Sequence, residues 1–433
     1  MGLLTLVEDR PTPKAVYNWK IGYDSAFIGT TLALPSFVEE FRLEEMTDSH
    51  LALTKANIVS VYQAGAFFGS LSAYVSAYFL GRKRSLWVYS VVFILGAGLM
   101  LGANGQRGLG LIIGGRVLAG IGVGGCSMVV PIYISEISPP AIRGALVGIY
   151  ELGWQMGGLV GFWINYGLNV TMAPSHKQWI IPFAVQLIPA GLLLIGSFWL
   201  RESPRWLMSK GKRDKALQNL CWIRRLPADD IYMVEEVAFL DAALEQQAGV
   251  VGNGFWKPFK AVARNRTVQW RFFLGGMLFF WQNGSGINAI NYYSPTVFAS
   301  IGISGTNTSF LTTGLFGVVK TTLTFVWLFF LIDRLGRRNL LLIGSTGGSI
   351  CMWIIIDGSM RKTNKRQGGY IASITINTDR ETSKPLSSGG IAALIVNIGT
   401  LIWEQVFFFY LWTAFYTPSW NGAYTIGYAN RQV

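Results

Sequence analysis

The chain has 433 residues, of which 51% are hydrophobic and only 14% charged, with 51 glycines and a mean hydropathy of +0.38; that balance suits packed membrane helices and excludes an ordinary soluble enzyme. Its net charge of +13 does not mark a nucleic-acid binder, because the lysines and arginines stand in short loops at the ends of apolar runs and form no stripe. Cys126, Cys221 and Cys351 lie far apart without metal-ligand spacing, so no metal, redox centre or cofactor is expected.

Residues 1–20, with Pro11, Pro13, mixed charge and no apolar leader core, read as a cytosolic N-terminus. Apolar runs follow at about 21–38, 56–80, 86–103, 109–134, 145–168 and 179–200, and, after a long polar stretch, at about 272–301, 310–332, 340–356 and 391–420. Most reach the roughly 20 residues that a helix needs to cross a bilayer. Lipid offers no partner to an open strand edge, so these runs are helices. The fold class is therefore an all-α integral membrane protein of about ten spans, with an N-terminal bundle over 21–200, a cytosolic linker over 201–269 and a second bundle over 270–422. Within the linker, Lys210, Lys212 and Arg213 precede an acidic, helix-like run at Glu235, Glu236, Asp241 and Glu245. Basic loops at 82–84, 143, 201–225 and 334–338 all fall on one side when the N-terminus is cytosolic; the basic segment 361–384 falls on the other, against the rule, and is outweighed.

Two loops carry matching basic knots, Gly81-Arg82-Lys83-Arg84 and Asp333-Arg334-Leu335-Gly336-Arg337-Arg338, the mark of two related halves. To these the chain adds Gly22-Tyr23-Asp24 in the first span, Gly115-Arg116, Pro131, Tyr133 and Glu136, Arg143-Gly144, and Glu202-Ser203-Pro204-Arg205 after the sixth span. The seventh span holds Gln282-Asn283, Ser285 to Asn288, and Tyr292-Tyr293. Through these motifs, which cover nearly the whole chain, it resembles the sugar-porter branch of the major facilitator superfamily. Within that branch it resembles the fungal quinate permeases, in segments 7–19, 165–196, 222–236, 281–295 and 407–422.

Flanked by glycine, the basic knots are compact cationic turns able to bond helix C-terminal carbonyls and to pair with acids when a cytosolic gate is shut. Arg82, Lys83, Glu136, Arg143, Glu202, Arg205, Asp333, Arg337 and Arg338 are the gating candidates. The plainer reading, that these arginines only set topology, stays open. Tyr78 stands where the wider superfamily often has an aspartate.

Ionisable residues inside spans cost several kcal/mol unless they face water or a partner. The resemblance implies that Asp24 titrates and that Arg116 pairs with it, which makes a proton relay; a structural ion pair is the competing reading. The resemblance also places Glu151 where hexose porters present a glutamine to the sugar, and Lys320 near an asparagine. Lys320 lies 13 residues before Asp333, about 20 Å inside that boundary at 1.5 Å per residue, too deep for easy snorkelling. It calls for an anion, either a substrate carboxylate or Glu151, which also stands as a second proton site. Gln282, Asn283 and Asn288 offer donors and acceptors to ring hydroxyls, with Gly284 and Gly286 permitting local unwinding. Trp420, by resemblance, covers an apolar ring face or else anchors a span end. Asn169 and Asn307 begin weak glycosylation sequons.

The chain departs from the family pattern in three places: a first span about a dozen residues short, an insertion over 394–406, and an unrelated tail over 423–433. Against the resemblance these imply an incomplete second bundle over 270–422 and a truncated product, mis-spliced or from a pseudogene, that does not transport as written. Restored to family length, the chain is expected to be a proton-coupled importer of quinate or a similar polyhydroxylated carboxylate, multi-pass in the plasma membrane. Its expected partners are that small molecule, the proton and the lipid bilayer, with no nucleic acid, and it is not an enzyme. A hexose porter is the alternative; a non-transporting nutrient sensor is the alternative of another class.

Overall fold

The computed structural model describes residues 27–106, 108–139, 143–252, 254–284, 306–326, 330, 339, 342–351 and 353, and among them every regular element is helical. That is the outcome lipid imposes on spans that must satisfy their own backbone groups. The first apolar run holds a short helix over 27–31 and then α1, Pro35–Glu40, where the proline stands at the start of the helix with its fixed φ and missing N–H. Then come α2 (Asp48–Phe79), α3 (Arg82–Leu101), α4 (Gly110–Ile137) and α5 (Arg143–Thr171). The second helix starts at Asp48 and not at residue 56, because polar residues up to Lys55 continue the helix where hydropathy no longer marks it.

The sixth run is broken into α6 (His176–Val185) and α7 (Leu187–Ser197). Pro189 has no N–H to give the Val185 carbonyl four residues back, so the ladder stops at Gln186. Among the described residues, Ser49–Phe79, Arg82–Leu101, Gly110–Ile137 and His176–Ser197 are long and apolar enough to cross a membrane.

Packing centres on α4, which lies against α2 on one side and α3 on the other. Glycine makes this possible. A Cβ on Gly120 would stand 2.3 Å from the Tyr62 carbonyl oxygen, one on Gly124 2.0 Å from that of Ala66, and one on Gly122 2.7 Å from that of Tyr89. Small residues let helix backbones approach closely where lipid supplies no hydrophobic drive between spans. Phe67, Phe68 and Leu95 are meanwhile 59%, 63% and 60% exposed, an apolar exterior that water would oppose and acyl chains solvate.

The polar stretch after the sixth run is largely helical: α8 (Pro204–Ser209), α9 (Arg213–Arg224), α10 (Ile231–Val250), α11 (Lys257–Arg264) and then α12 (Arg266–Gly284), which enters the seventh apolar run. Ser203 and Asp230 cap α8 and α10, their side chains accepting from the N–H groups of Trp206 and Tyr232. The chain divides into two units, Met1–Tyr292 with Thr425–Val433, and Tyr293–Tyr424. In the second unit α13 (Thr306–Val326) is the principal described helix.

Candidate functional site

At the start of α3, Gly81 adopts φ +88°, and a Cβ there would lie 2.6 Å from Glu202 Oε2. Glycine is thus required both for the backbone angle and for space. Its absence of bulk lets the Glu202 carboxylate reach the α3 N-terminus, where Oε1 accepts the backbone N–H of Arg82 at 2.8 Å and of Lys83 at 3.3 Å. An anion at a helix N-terminus meets unsatisfied donors and the positive end of the dipole.

Arg82 then faces α4, pairing with Glu136 at 2.6 Å, with side chains 17% and 8% exposed. It also donates to the carbonyl of Ala77 at 3.1 Å, while Lys83 Nζ donates to that of Phe198 at 2.9 Å; both carbonyls lie at or near helix C-terminal ends. One basic turn therefore ties together the ends of α2, α4 and α7. Nearby, on the last turn of α2, the Tyr78 ring lies 3.7 Å from Lys210 Nζ in a cation–π contact. Arg205 stands apart, donating to Gln247 Oε1 at 3.3 Å on α10.

Arg116 is fully buried on α4. Its guanidinium carbon lies 4.2 Å above the Tyr62 ring, and Nε donates to the Ile58 carbonyl at 3.4 Å, both on α2. On α5, Gln155 is buried and donates to Glu151 Oε1 at 2.7 Å, one helical turn away. Gln282 is half-buried near the end of α12. In the second unit Lys320 is 6% exposed on α13, with Thr313, Phe316, Thr321 and Thr324 also buried on that helix, and its Nζ 5.9 Å from the Phe316 ring. Asp24, Asn288, Asp333, Arg337, Arg338 and Trp420 lie outside the described residues, as do the side chains of Arg143 and Asn283.

Three clusters escaped the sequence reading. Asn165, fully buried on α5, donates to Thr30 Oγ1 at 2.6 Å and to the Phe27 carbonyl at 3.0 Å, and accepts from Thr31 at 3.1 Å. It clasps the first span to the fifth. A lone amide within an apolar run is a detectable signal, but a faint one, because without a charge it changes hydropathy little.

Glu40, at the end of α1, collects the Trp179 indole N–H at 2.6 Å, a His176 Nδ1 contact at 2.8 Å and the Gly105 N–H at 3.2 Å. Burial works to raise its pKa, but the hydrogen bonds from Trp179, His176 and Gly105 outweigh it and hold the carboxyl below the usual glutamate value. Arg224 on α9 pairs with Glu236 on α10 at 2.9 Å and donates to the Ile137 carbonyl at 3.0 Å, which fastens the linker helices to the C-terminal end of α4. Sequence separations of 65 to 139 residues between Glu40 and its partners left no local pattern to read.

A family model described as "Sugar (and other) transporter" matches residues 14–377. The chain is 63% identical over 437 residues to "MFS-type transporter qa-x" of Neurospora crassa and, over the same length, 63% identical to "Quinate permease" of Neurospora terricola, covering 98% of this chain and 77% of each relative. It is 61% identical to "Probable quinate permease" of Aspergillus terreus, covering 98% of this chain and 75% of that one. Among solved structures, the proton:xylose symporter XylE bound to 6-bromo-6-deoxy-D-glucose superposes with a TM-score of 0.71 at 23% identity, over 98% of this chain and 81% of that one. A partially occluded inward-open form of the xylose transporter XylE from E. coli gives a TM-score of 0.65 at 23% identity, over 99% of this chain and 97% of that one. These likenesses establish the major facilitator fold.

Proposed function

We propose that this chain, which belongs to the sugar transporter family of the major facilitator superfamily and spans 77% of the relatives it matches, imports quinate or a similar polyhydroxylated carboxylate together with protons across the plasma membrane when completed to their full length. As a multi-pass membrane transporter it moves its substrate chemically unchanged and is not an enzyme.

The observation that carries the substrate reading is Lys320, a cation at 6% exposure on a membrane helix of the second unit. Such a group is costly in hydrocarbon and marks substrate or ion pathways. A hexose has no charge to offer it, whereas quinate carries a carboxylate on a ring of hydroxyls. The permease names of relatives more than 60% identical support the same reading. In this account Lys320 in the second unit supplies the counter-charge for a carboxylate, and the amides of Gln282, Asn283 and Asn288 in the first are donors and acceptors suited to ring hydroxyls. Trp420 covers the apolar ring face.

Coupling is assigned to Asp24 and Arg116. Arg116 favours the ionised aspartate until a proton neutralises it and releases the pair, and Glu151, hydrogen-bonded to Gln155, is the second proton site. Arg82, Lys83, Glu136 and Glu202, with Arg143, are the gating residues of the first unit, and Asp333, Arg337 and Arg338 those of the second; Arg205, bonded to Gln247, is the outlying member of the set. Initial uptake of labelled quinate by the completed chain in a permease-null host tests the substrate assignment. Lys320→Asn is expected to lower it by about tenfold or more, because an anion is left without its counter-charge. Uptake unchanged in Lys320→Asn overturns the assignment.

A further inference from the structure

From Glu245 to Asp333 the chain contains no acidic residue, and the first part of this stretch carries Lys257, Lys260, Arg264, Arg266 and Arg271, all exposed. Lys257, Lys260 and Arg264 recur at the three- and four-residue spacing that places side chains on one face of α11.

The depth of this helix is fixed from its other side. Phe255 and Phe259 pack on the last turns of α2, with ring centroids 5.2 and 5.3 Å from Tyr74 and, for Phe255, 5.5 Å from Phe79; the Tyr74 hydroxyl donates to the Phe255 carbonyl at 2.7 Å. The helix therefore lies where α2 ends, level with the basic turn at Arg82, and the chain runs on from it directly into α12. Trp256 is 68% exposed beside the cations. Aromatic rings with exposed lysine and arginine at the end of a span are the composition of the headgroup layer on the positive side of a bilayer.

We propose that α11 and the first turns of α12 form a binding surface for anionic phospholipid headgroups of the cytosolic leaflet, with Trp256 seated at the acyl boundary and Lys257, Lys260 and Arg264 on the phosphates. Charge complementarity selects this occupant. A surface of several cations without an interspersed acid repels basic partners and gains from every anionic lipid within a Debye length. A neutral lipid offers no such gain.

The test titrates phosphatidylserine into phosphatidylcholine mixed micelles holding the purified full chain and follows its melting temperature. The wild type is expected to be stabilised in a saturable way by phosphatidylserine, less so at high salt, and not by inorganic phosphate at equal charge. The triple variant Lys257→Gln/Lys260→Gln/Arg264→Gln is expected to melt with the wild type in phosphatidylcholine alone, but to need on the order of a hundredfold more phosphatidylserine, roughly fivefold per cation removed. An equal phosphatidylserine response in the two proteins overturns the proposal. So does a response to inorganic phosphate that matches the lipid, or a wild type indifferent to lipid charge whose ridge is instead protected by a bound protein.

Discussion

The two ends of α3, separated by 20 residues and so by about 30 Å of helix rise, are each organised around a glutamate that gathers donors from distant stretches of chain, but the chemistry differs. At the arginine-rich end, which positive-inside counting assigns to the cytosol, Glu202 accepts the N–H groups of Arg82 and Lys83, and Arg82 pairs with Glu136 at 2.6 Å. Every cation there is permanent. At the opposite end Glu40 takes an indole, an imidazole and an amide, which hold its carboxyl below the usual glutamate value. A latch of permanent cations yields to a competing conformation, whereas a carboxylate whose folded pKa is depressed by its donors is also adjusted by the acidity of the medium it faces.

The largest effect that would break this contrast is expected at Arg82. Arg82→Ala leaves Glu136, 8% exposed, without its counter-charge at a cost of about 3 kcal/mol, so the melting temperature in detergent should fall by several degrees and uptake should be lost. A normal melting temperature with full uptake would reduce the basic turn to a topology signal.

A middle effect is expected at Asn165, which belongs to neither end. Asn165→Ala removes two donated hydrogen bonds and one accepted, but Thr30 and Thr31 keep their own bonds to the Phe27 carbonyl, so the loss should be about 1–2 kcal/mol. If the first span is held in place by this clasp, the external pH giving half-maximal uptake should shift as well. A stability loss with an unmoved pH profile makes Asn165 packing alone.

The smallest effect belongs to the outer glutamate. Its folded pKa is depressed below the ordinary value of 4.5. The stabilisation is therefore present above that value and lost as pH falls through the depressed folded one. The melting temperature of the wild type should drop more steeply below about pH 4.5 than that of Glu40→Gln. His176→Ala, which removes a half-exposed partner, should cost within about 1 kcal/mol near neutrality. Parallel pH profiles for wild type and Glu40→Gln would erase the difference between the two ends.

The sequence made one side of this contrast legible and hid the other, for a physical reason. Arg82, Lys83, Glu136 and Glu202 sit at the ends of apolar runs, where hydropathy and charge change sign together. Glu40, His176 and Trp179 are scattered single residues whose partnership exists only after α1 and α6 pack. Helix existence followed from hydropathy, but the start of α2 at Asp48 did not, because its first turns are polar. The break at Gln186 was written in Pro189 and went unread. Lys320 was conspicuous as a charge in an apolar run; Asn165 was not, since an uncharged amide changes hydropathy little.

The central claim, coupled import of a carboxylate-bearing polyol, is tested most directly by recording the pH of a lightly buffered suspension of permease-null cells expressing the chain completed to the full length of its relatives as labelled quinate is added. The account predicts accumulation of label above the external concentration, with alkalinisation of the medium that begins on quinate addition, is absent with glucose, and is abolished in Asp24→Asn. Quinate that only equilibrates without alkalinisation, or glucose that accumulates in its place, would contradict it.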